Sequence, residues 1–167
     1  FSAILLTLVM LLGMFPMTAF AAEAPWSGSG TQQDPYQISS AEDLKALAEA
    51  INDTSDKTYN KSYFKLTADI DLGGQAWTPI GNDSKMNTTF EGTFDGDGHY
   101  ITGLNVSGSE KFAGLFGYIY GGRILNVGVY GSVSTDDTDD GNAGGIVGSV
   151  NGTSYIANCV SGVNVSG

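Results

Sequence analysis

Two glycine-flanked blocks stand 31 residues apart, Gly114-Leu115-Phe116-Gly117 and Gly145-Ile146-Val147-Gly148. The runs that follow them match as well: Ile124-Leu125-Asn126-Val127 is answered 32 residues later by Ile156-Ala157-Asn158-Cys159. Repeats of about 20–30 residues, each a short apolar run between glycine turns, describe the coils of a solenoid, because no coil buries its apolar face alone. Of the 24 glycines, 18 lie after residue 90, so turns must be dense there. A weaker copy, Ile101-Thr102-Gly103-Leu104-Asn105-Val106, begins 23 residues before Ile124. The spacing on its far side is longer by nine residues, and Ser134 to Asn142 (STDDTDDGN) is a nine-residue polar stretch. That stretch reads as a loop inserted at one corner. Parallel coils stacked about 4.8 Å apart would then set Ile101, Ile124 and Ile156 in one ladder, and Leu104, Val127 and Cys159 in another. An antiparallel sandwich explains the strands but not the aligned repeats.

Upstream of the repeats the period changes. Leu44, Leu47, Ala48 and Ile51 recur at helical spacing, and Lys45 and Glu49 share another face. Ser39 with Glu42, or Ser40 with Asp43, supplies a hydroxyl cap and an acidic first turn. The spacing predicts a short helix over 41–52. Phe64, Leu66, Ala68, Ile70 and Leu72 alternate with polar residues, which reads as a half-buried strand closed by Gly73-Gly74. The expected fold is mainly β, a right-handed parallel β-helix with one N-terminal capping helix. Its expected parts are a flexible leader at 22–34, a cap at 35–63 and coils at 64–167. A solenoid end needs a polar cap, and none precedes Gly167, so the coils are expected to continue in a longer protein.

The first residues set the compartment. Ile4 to Met17 is apolar apart from Thr7, Gly13 and Pro16, which is short of the roughly 20 residues that span a membrane. Ala19-Phe20-Ala21 follows, so 1–21 reads as an export signal cleaved after Ala21. No later stretch resembles a membrane span. Every charged residue lies after position 22, with 18 Asp and Glu against 7 Lys and Arg, a net charge of −11. Arg123 is the last basic residue and the single arginine. Nucleic-acid binding depends on cations that displace phosphate counterions, so that class is excluded. The single cysteine, Cys159, reads as an inert thiol in a buried strand, since no basic neighbour activates it.

The Gly114–Gly117 and Gly145–Gly148 blocks resemble the GLUG motif of bacterial surface proteins. So do Leu66-Thr67-Ala68-Asp69-Ile70-Asp71-Leu72, Trp77-Thr78-Pro79-Ile80-Gly81 and the run from Phe90 to Ile101. The resemblance covers Pro35 to Gly167. It implies a right-handed parallel β-helix in a secreted or wall-attached protein, in some members alongside an immunoglobulin-A-cleaving metallopeptidase. The His-Glu-x-x-His helix of those peptidases is absent from a chain with one histidine, so that activity does not carry over.

No catalytic or cofactor-binding set stands out. Asp136, Asp137, Asp139 and Asp140, with Gly141 and Asn142, are the candidates for a calcium site, against the plain alternative of a solvated loop tip. Asp95-Gly96-Asp97-Gly98 offers two carboxylates, too few for calcium, and fits a tight turn. Asp69 and Asp71 lie two apart and would share a strand face; as an acid and base pair they would suit a glycosidase, but no stacked carboxylate joins them. His99 alone makes neither a triad nor a zinc site. Trp26, Trp77, Tyr118, Tyr120, Tyr130 and Tyr155 could stack on sugars, although strands favour tyrosine anyway. Asn87-Thr88-Thr89 has the form of a glycan acceptor, and in a bacterial chain Asn-rich turns and ladders explain such triplets. These observations favour a non-enzymatic extracellular module with an adhesion, stalk or ligand-presenting role, its partners surface glycans or proteins. The alternatives are a carbohydrate-active enzyme, or its glycan-binding portion, and an accessory region of a surface metallopeptidase.

Overall fold

The computed structural model describes residues 24–82, 88–136 and 141–167. The export signal at 1–21, the first two leader residues, Asn87, Asp137, Asp139 and Asp140 lie outside the described residues. In chain order the elements are β1 (Tyr36–Ile38), α1 (Ala41–Asn52), β2 (Tyr63–Leu66), β3 (Ile70–Asp71), β4 (Thr93–Asp95), β5 (Tyr100–Val106), β6 (Phe112–Ala113), β7 (Phe116–Tyr120), β8 (Arg123–Leu125), β9 (Gly128–Ser134), β10 (Asn142–Ala143), β11 (Val147–Asn151), β12 (Tyr155–Ala157) and β13 (Val160–Ser166).

Every strand pairing among the described residues is parallel. One sheet runs β1-β2-β4-β8-β12 and a second runs β3-β5-β9-β13, while β6 pairs with β10 and β7 with β11. The chain visits the four faces in turn and returns to the first, so the strands wind a parallel β-solenoid of about four turns. On the first sheet Phe64, Phe94, Ile124 and Ile156 lie in one row.

Two sequence expectations are corrected by this register. Ile101 pairs with Ile70 and Val129, not with Ile124. Leu104 faces Gly131, not Val127. The cause is a bulge between Ile101 and Leu104, where Gly103 has φ of 68°; it stretches the motif so that it mimics the Ile124–Val127 run on a different face. Nor is Ser134–Asn142 a nine-residue insertion. Val106 pairs with Val133 and Phe112 with Asn142, so this corner exceeds the one before it by three residues. The alternating run from Phe64 to Leu72 is also not one strand: β2 and β3 belong to different sheets. Phe64, Leu66, Ile70 and Leu72 are nonetheless all buried, because both sides of the corner face one interior.

That interior is a column of aromatic and branched side chains. Phe64, Phe90, Phe94 and Phe116 are fully buried, with ring centroids 6.1 Å (Phe64–Phe90), 5.1 Å (Phe90–Phe116) and 5.3 Å (Phe94–Phe116) apart. Burying each such side chain stabilises the fold by roughly 1.5–3 kcal/mol. Helix α1 buries Leu44, Leu47, Ala48 and Ile51, giving this end of the stack an apolar helical partner. The Ser40 hydroxyl caps it by accepting from the Asp43 N–H at 3.1 Å, and the Asp43 carboxylate accepts in return from the Ser39 N–H at 2.8 Å. The described part of the leader is not loose. Trp26 is buried, donates to the Asp43 carbonyl at 3.0 Å and meets Phe64 edge-on; the Gly30 carbonyl accepts from Tyr63 N–H at 2.9 Å. At the other end Ile156 and Val165, which continue buried rows, are 41% and 49% exposed.

Candidate functional site

Three of the carboxylates that the sequence offers as candidates, Asp69, Asp71 and Asp95, lie at corners and accept from backbone N–H groups. Asp95 Oδ1 accepts from the Asp97 N–H and from Asn126 Nδ2, both at 2.9 Å. Asn126 Oδ1 accepts from Asn158 Nδ2 at 3.1 Å. Asn126 and Asn158 have φ of 53° and 55°, a left-handed turn that asparagine tolerates better than most residues. The result is an Asp-Asn-Asn ladder that climbs one corner. Lys65 closes on Asp97 at 3.0 Å. The Asp95–Gly98 run is thus a tight turn tied to its neighbours.

Asp69 and Asp71 are similarly occupied. Asp71 Oδ1 accepts from the Gly73 N–H at 2.9 Å. Asp69 lies on the bend before β3, where its Oδ1 accepts from the Tyr100 N–H at 3.0 Å and stands 3.0 Å from His99 Nδ1. The Tyr100 N–H and, after it, His99 hold the Asp69 carboxyl below the usual aspartate range. Asp136 is exposed, and its backbone N–H donates to the Gly108 carbonyl. Among the described residues no group of three or more His, Cys, Asp or Glu is arranged to hold a metal ion.

The aromatic candidates divide. Trp26, Trp77 and Tyr118 are buried: Trp77 donates to the Leu115 carbonyl at 3.0 Å, and the Tyr118 hydroxyl accepts from Asn151 Nδ2 at 3.1 Å. They are core residues, not sugar platforms. Tyr120, Tyr130 and Tyr155 are exposed, as is Tyr100. Tyr100 lies over Gly128, and Tyr130 over Gly162, each one coil onward; a Cβ at either glycine would collide with the ring above it. Each ring therefore covers a bare stretch of the adjacent strand. Cys159 is half-buried at a corner between β12 and β13 rather than in a strand, with Sγ 3.2 Å from the Ala157 carbonyl.

A groove of about 490 Å³ on the outer face of the first sheet has a different character. Tyr63, Thr93, Arg123 and Tyr155 stand in one row across successive coils. Tyr63, Thr93 and Arg123 line the groove together with Lys65, Asp95 and Leu125, and Gln32, Gln33 and Pro35 form its wall. Arg123 is exposed and lies over the Tyr155 ring, 5.7 Å from its centroid. It has no ion-pair partner among the described residues. The Thr93 hydroxyl and the Gln32 and Gln33 amides also lack intramolecular side-chain hydrogen bonds there. No local signal marks this site, because its residues sit about 30 positions apart and meet only once the coil register is set.

No family model matches the chain. It is 36% identical over 145 residues to halomucin of Haloquadratum walsbyi, a stretch that covers 80% of this chain and 2% of halomucin. It is 31% identical over 136 residues to a protein of Evansella cellulosilytica that bears the name Gly-rich membrane protein, covering 77% of this chain and 14% of that one. A crystal structure from Bacteroides ovatus, of a protein named for immunoglobulin A1 protease activity, superposes with a TM-score of 0.58 at 26% identity. The match spans 81% of this chain and 49% of the solved one. The chain thus spans a small fraction of the curated proteins it resembles and about half of the solved chain. Among the described residues no helix is long and apolar enough to cross a membrane.

Proposed function

We propose that this chain is a GLUG-type β-solenoid module of a secreted or cell-surface bacterial protein, with a non-enzymatic adhesion, stalk or ligand-presenting role. The observation that carries the reading is the parallel stack, in which Asp69, Asp71, Asp95 and Asp97 are engaged by neighbouring groups while one outer face keeps polar groups without protein partners among the described residues. Its similarity to short stretches of much longer proteins, one named halomucin and the other a membrane protein, supports a part built into a larger whole. The test is surface labelling of cells that express the intact gene. An antibody to the solenoid should stain unpermeabilised cells, and protease treatment of whole cells should remove the signal. Retention of the antigen inside the cell would overturn the reading.

The Bacteroides ovatus likeness favours a second reading, an accessory region of a surface peptidase. The purified chain is then expected to leave immunoglobulin A1 intact while the complete protein cleaves it. The carbohydrate-active alternative predicts turnover of pectin or mucin that is lost in Asp69→Asn or Asp71→Asn. Those carboxylates already accept backbone hydrogen bonds, so the expected result is no turnover.

A further inference from the structure

We propose that the groove around Arg123 binds a short saccharide bearing a carboxylate, a uronic acid unit seated on the guanidinium. The proposal rests on the ligand-presenting reading and gives it a place and a chemistry. Its starting point is a contrast in charge. The chain carries a net charge of −11, yet its single arginine has no ion-pair partner among the described residues. Each nearby carboxylate is engaged elsewhere: Asp95 accepts from Asp97 N–H and Asn126, and Asp97 pairs with Lys65. Guanidinium recognises a carboxylate through two parallel hydrogen bonds, and stacking on an aromatic face helps hold the fork in place. Tyr155 supplies that face.

The rest of the groove selects the kind of molecule. Its floor is the interior of a sheet, with β4 and β8 each paired on both sides. An extended peptide that binds by adding a strand needs an open edge, and this floor offers none. Recognition must come from side chains, and the polar ones lining the groove are the Tyr63 ring, the Thr93 hydroxyl, the Gln32 and Gln33 amides and the charged Lys65, Asp95 and Arg123. Tyr63 and Tyr155 bracket Thr93 and Arg123 in the same row, three strand spacings or about 14 Å from end to end. The Tyr63 ring, with a hydroxyl and amides in the same groove, suits a polyhydroxylated chain of a few sugar units.

Isothermal titration of the intact chain with trigalacturonate, maltotriose and tetraglutamate tests the assignment. Trigalacturonate is expected to bind, with maltotriose weaker by about tenfold or more. Arg123→Ala should lose about tenfold or more in trigalacturonate affinity, and Arg123→Lys an intermediate amount, because a point charge replaces a fork. Asp136→Asn, at a distant corner, should bind as the wild type does. Equal affinity for acidic and neutral trisaccharides, no binding of either, or an Arg123→Ala variant that binds normally would each overturn the proposal. Tetraglutamate binding as tightly as trigalacturonate, with the same dependence on Arg123, would overturn the saccharide assignment in favour of an acidic peptide. If Arg123→Ala does not fold, Arg123→Lys and Thr93→Ala carry the test. Failure here leaves the surface-labelling result untouched, so the two readings fall separately.

Discussion

The corner that carries Asp95, Asn126 and Asn158 and the outer face that carries Thr93 and Arg123 are adjacent on the same strands, yet they use polar residues in opposite ways. At the corner each side chain reaches along the stack and bonds to the next coil or to a nearby N–H. On the face, among the described residues, the hydroxyl and amides lack protein hydrogen-bond partners, and the guanidinium lies over the ring of Tyr155 without an ion pair. A solenoid must satisfy the backbone groups that its turns leave unpaired, and those turns sit at corners. Polar residues there belong to the fold. On the flat faces the sheet ladder already satisfies the backbone, so polar side chains are released for other work. Substitutions at corners should therefore move stability, and substitutions on the face should move binding.

The largest expected effect comes from the residue behind both regions. Phe94 lies between Thr93 and Asp95 on β4, points inward and is fully buried against Phe116. Phe94→Ala should destabilise by about 3–5 kcal/mol, and it should disturb corner and face together. Urea unfolding followed by tryptophan fluorescence measures the loss. A cost below about 1 kcal/mol would mean that the column is not packed as described.

Next is the corner itself. Asn126→Ala removes one hydrogen bond to Asp95 and one from Asn158 and places a Cβ-bearing residue without a helpful polar group at φ of 53°. About 1.5–3 kcal/mol should be lost. Asn126→Gly loses the same bonds without the backbone strain, so it should be milder by about 1 kcal/mol. If Gly and Ala are equivalent, the left-handed turn is not what asparagine is there to hold.

How much of the molecule is legible in its sequence follows the same division. The glycine blocks near 114 and 145 reveal the coil, since Phe116 does pair with Val147. The helix is visible because its four buried positions and its Ser40–Asp43 cap are all local. The ladder through Ile101 misleads because side chains alternate with a period of two on every face, so one apolar run looks like another. The Gly103 bulge completes the disguise. Trp77 and Tyr118 look like sugar platforms because burial depends on which face of which coil a residue occupies. Nothing local marks Tyr100 as an exposed aromatic. Its relation to Gly128 is a contact between neighbouring coils, as is that of Tyr130 to Gly162.

A smaller effect is expected from acid. The Asp69 carboxyl is held below its ordinary range by the Tyr100 N–H and then by His99. A depressed folded-state value means that the stabilisation is present above the unfolded pKa, near 3.9, and is lost as pH falls through the lower folded value. The thermal midpoint of the wild type should thus fall more between pH 5 and pH 2 than that of Asp69→Asn. Parallel curves would show that this exposed carboxylate contributes nothing to the corner, and would weaken the contrast at that site.

The smallest stability effect is predicted where the binding effect is greatest. Arg123 is exposed, and among the described residues its side chain makes no ion pair or hydrogen bond; its guanidinium lies over the Tyr155 ring, a contact worth about 0.5 kcal/mol at such a site. Thr93 is half-buried, but its hydroxyl bonds to nothing described. Arg123→Ala and Thr93→Ala should therefore each remain within about 0.5 kcal/mol of wild-type stability. A loss of about 2 kcal/mol in either would mean that the face supports the fold as much as the corner does, and that its free side chains have a structural role. With stability unchanged, a fall in trigalacturonate affinity belongs to the groove alone, because the protein that fails to bind is still the protein that folds.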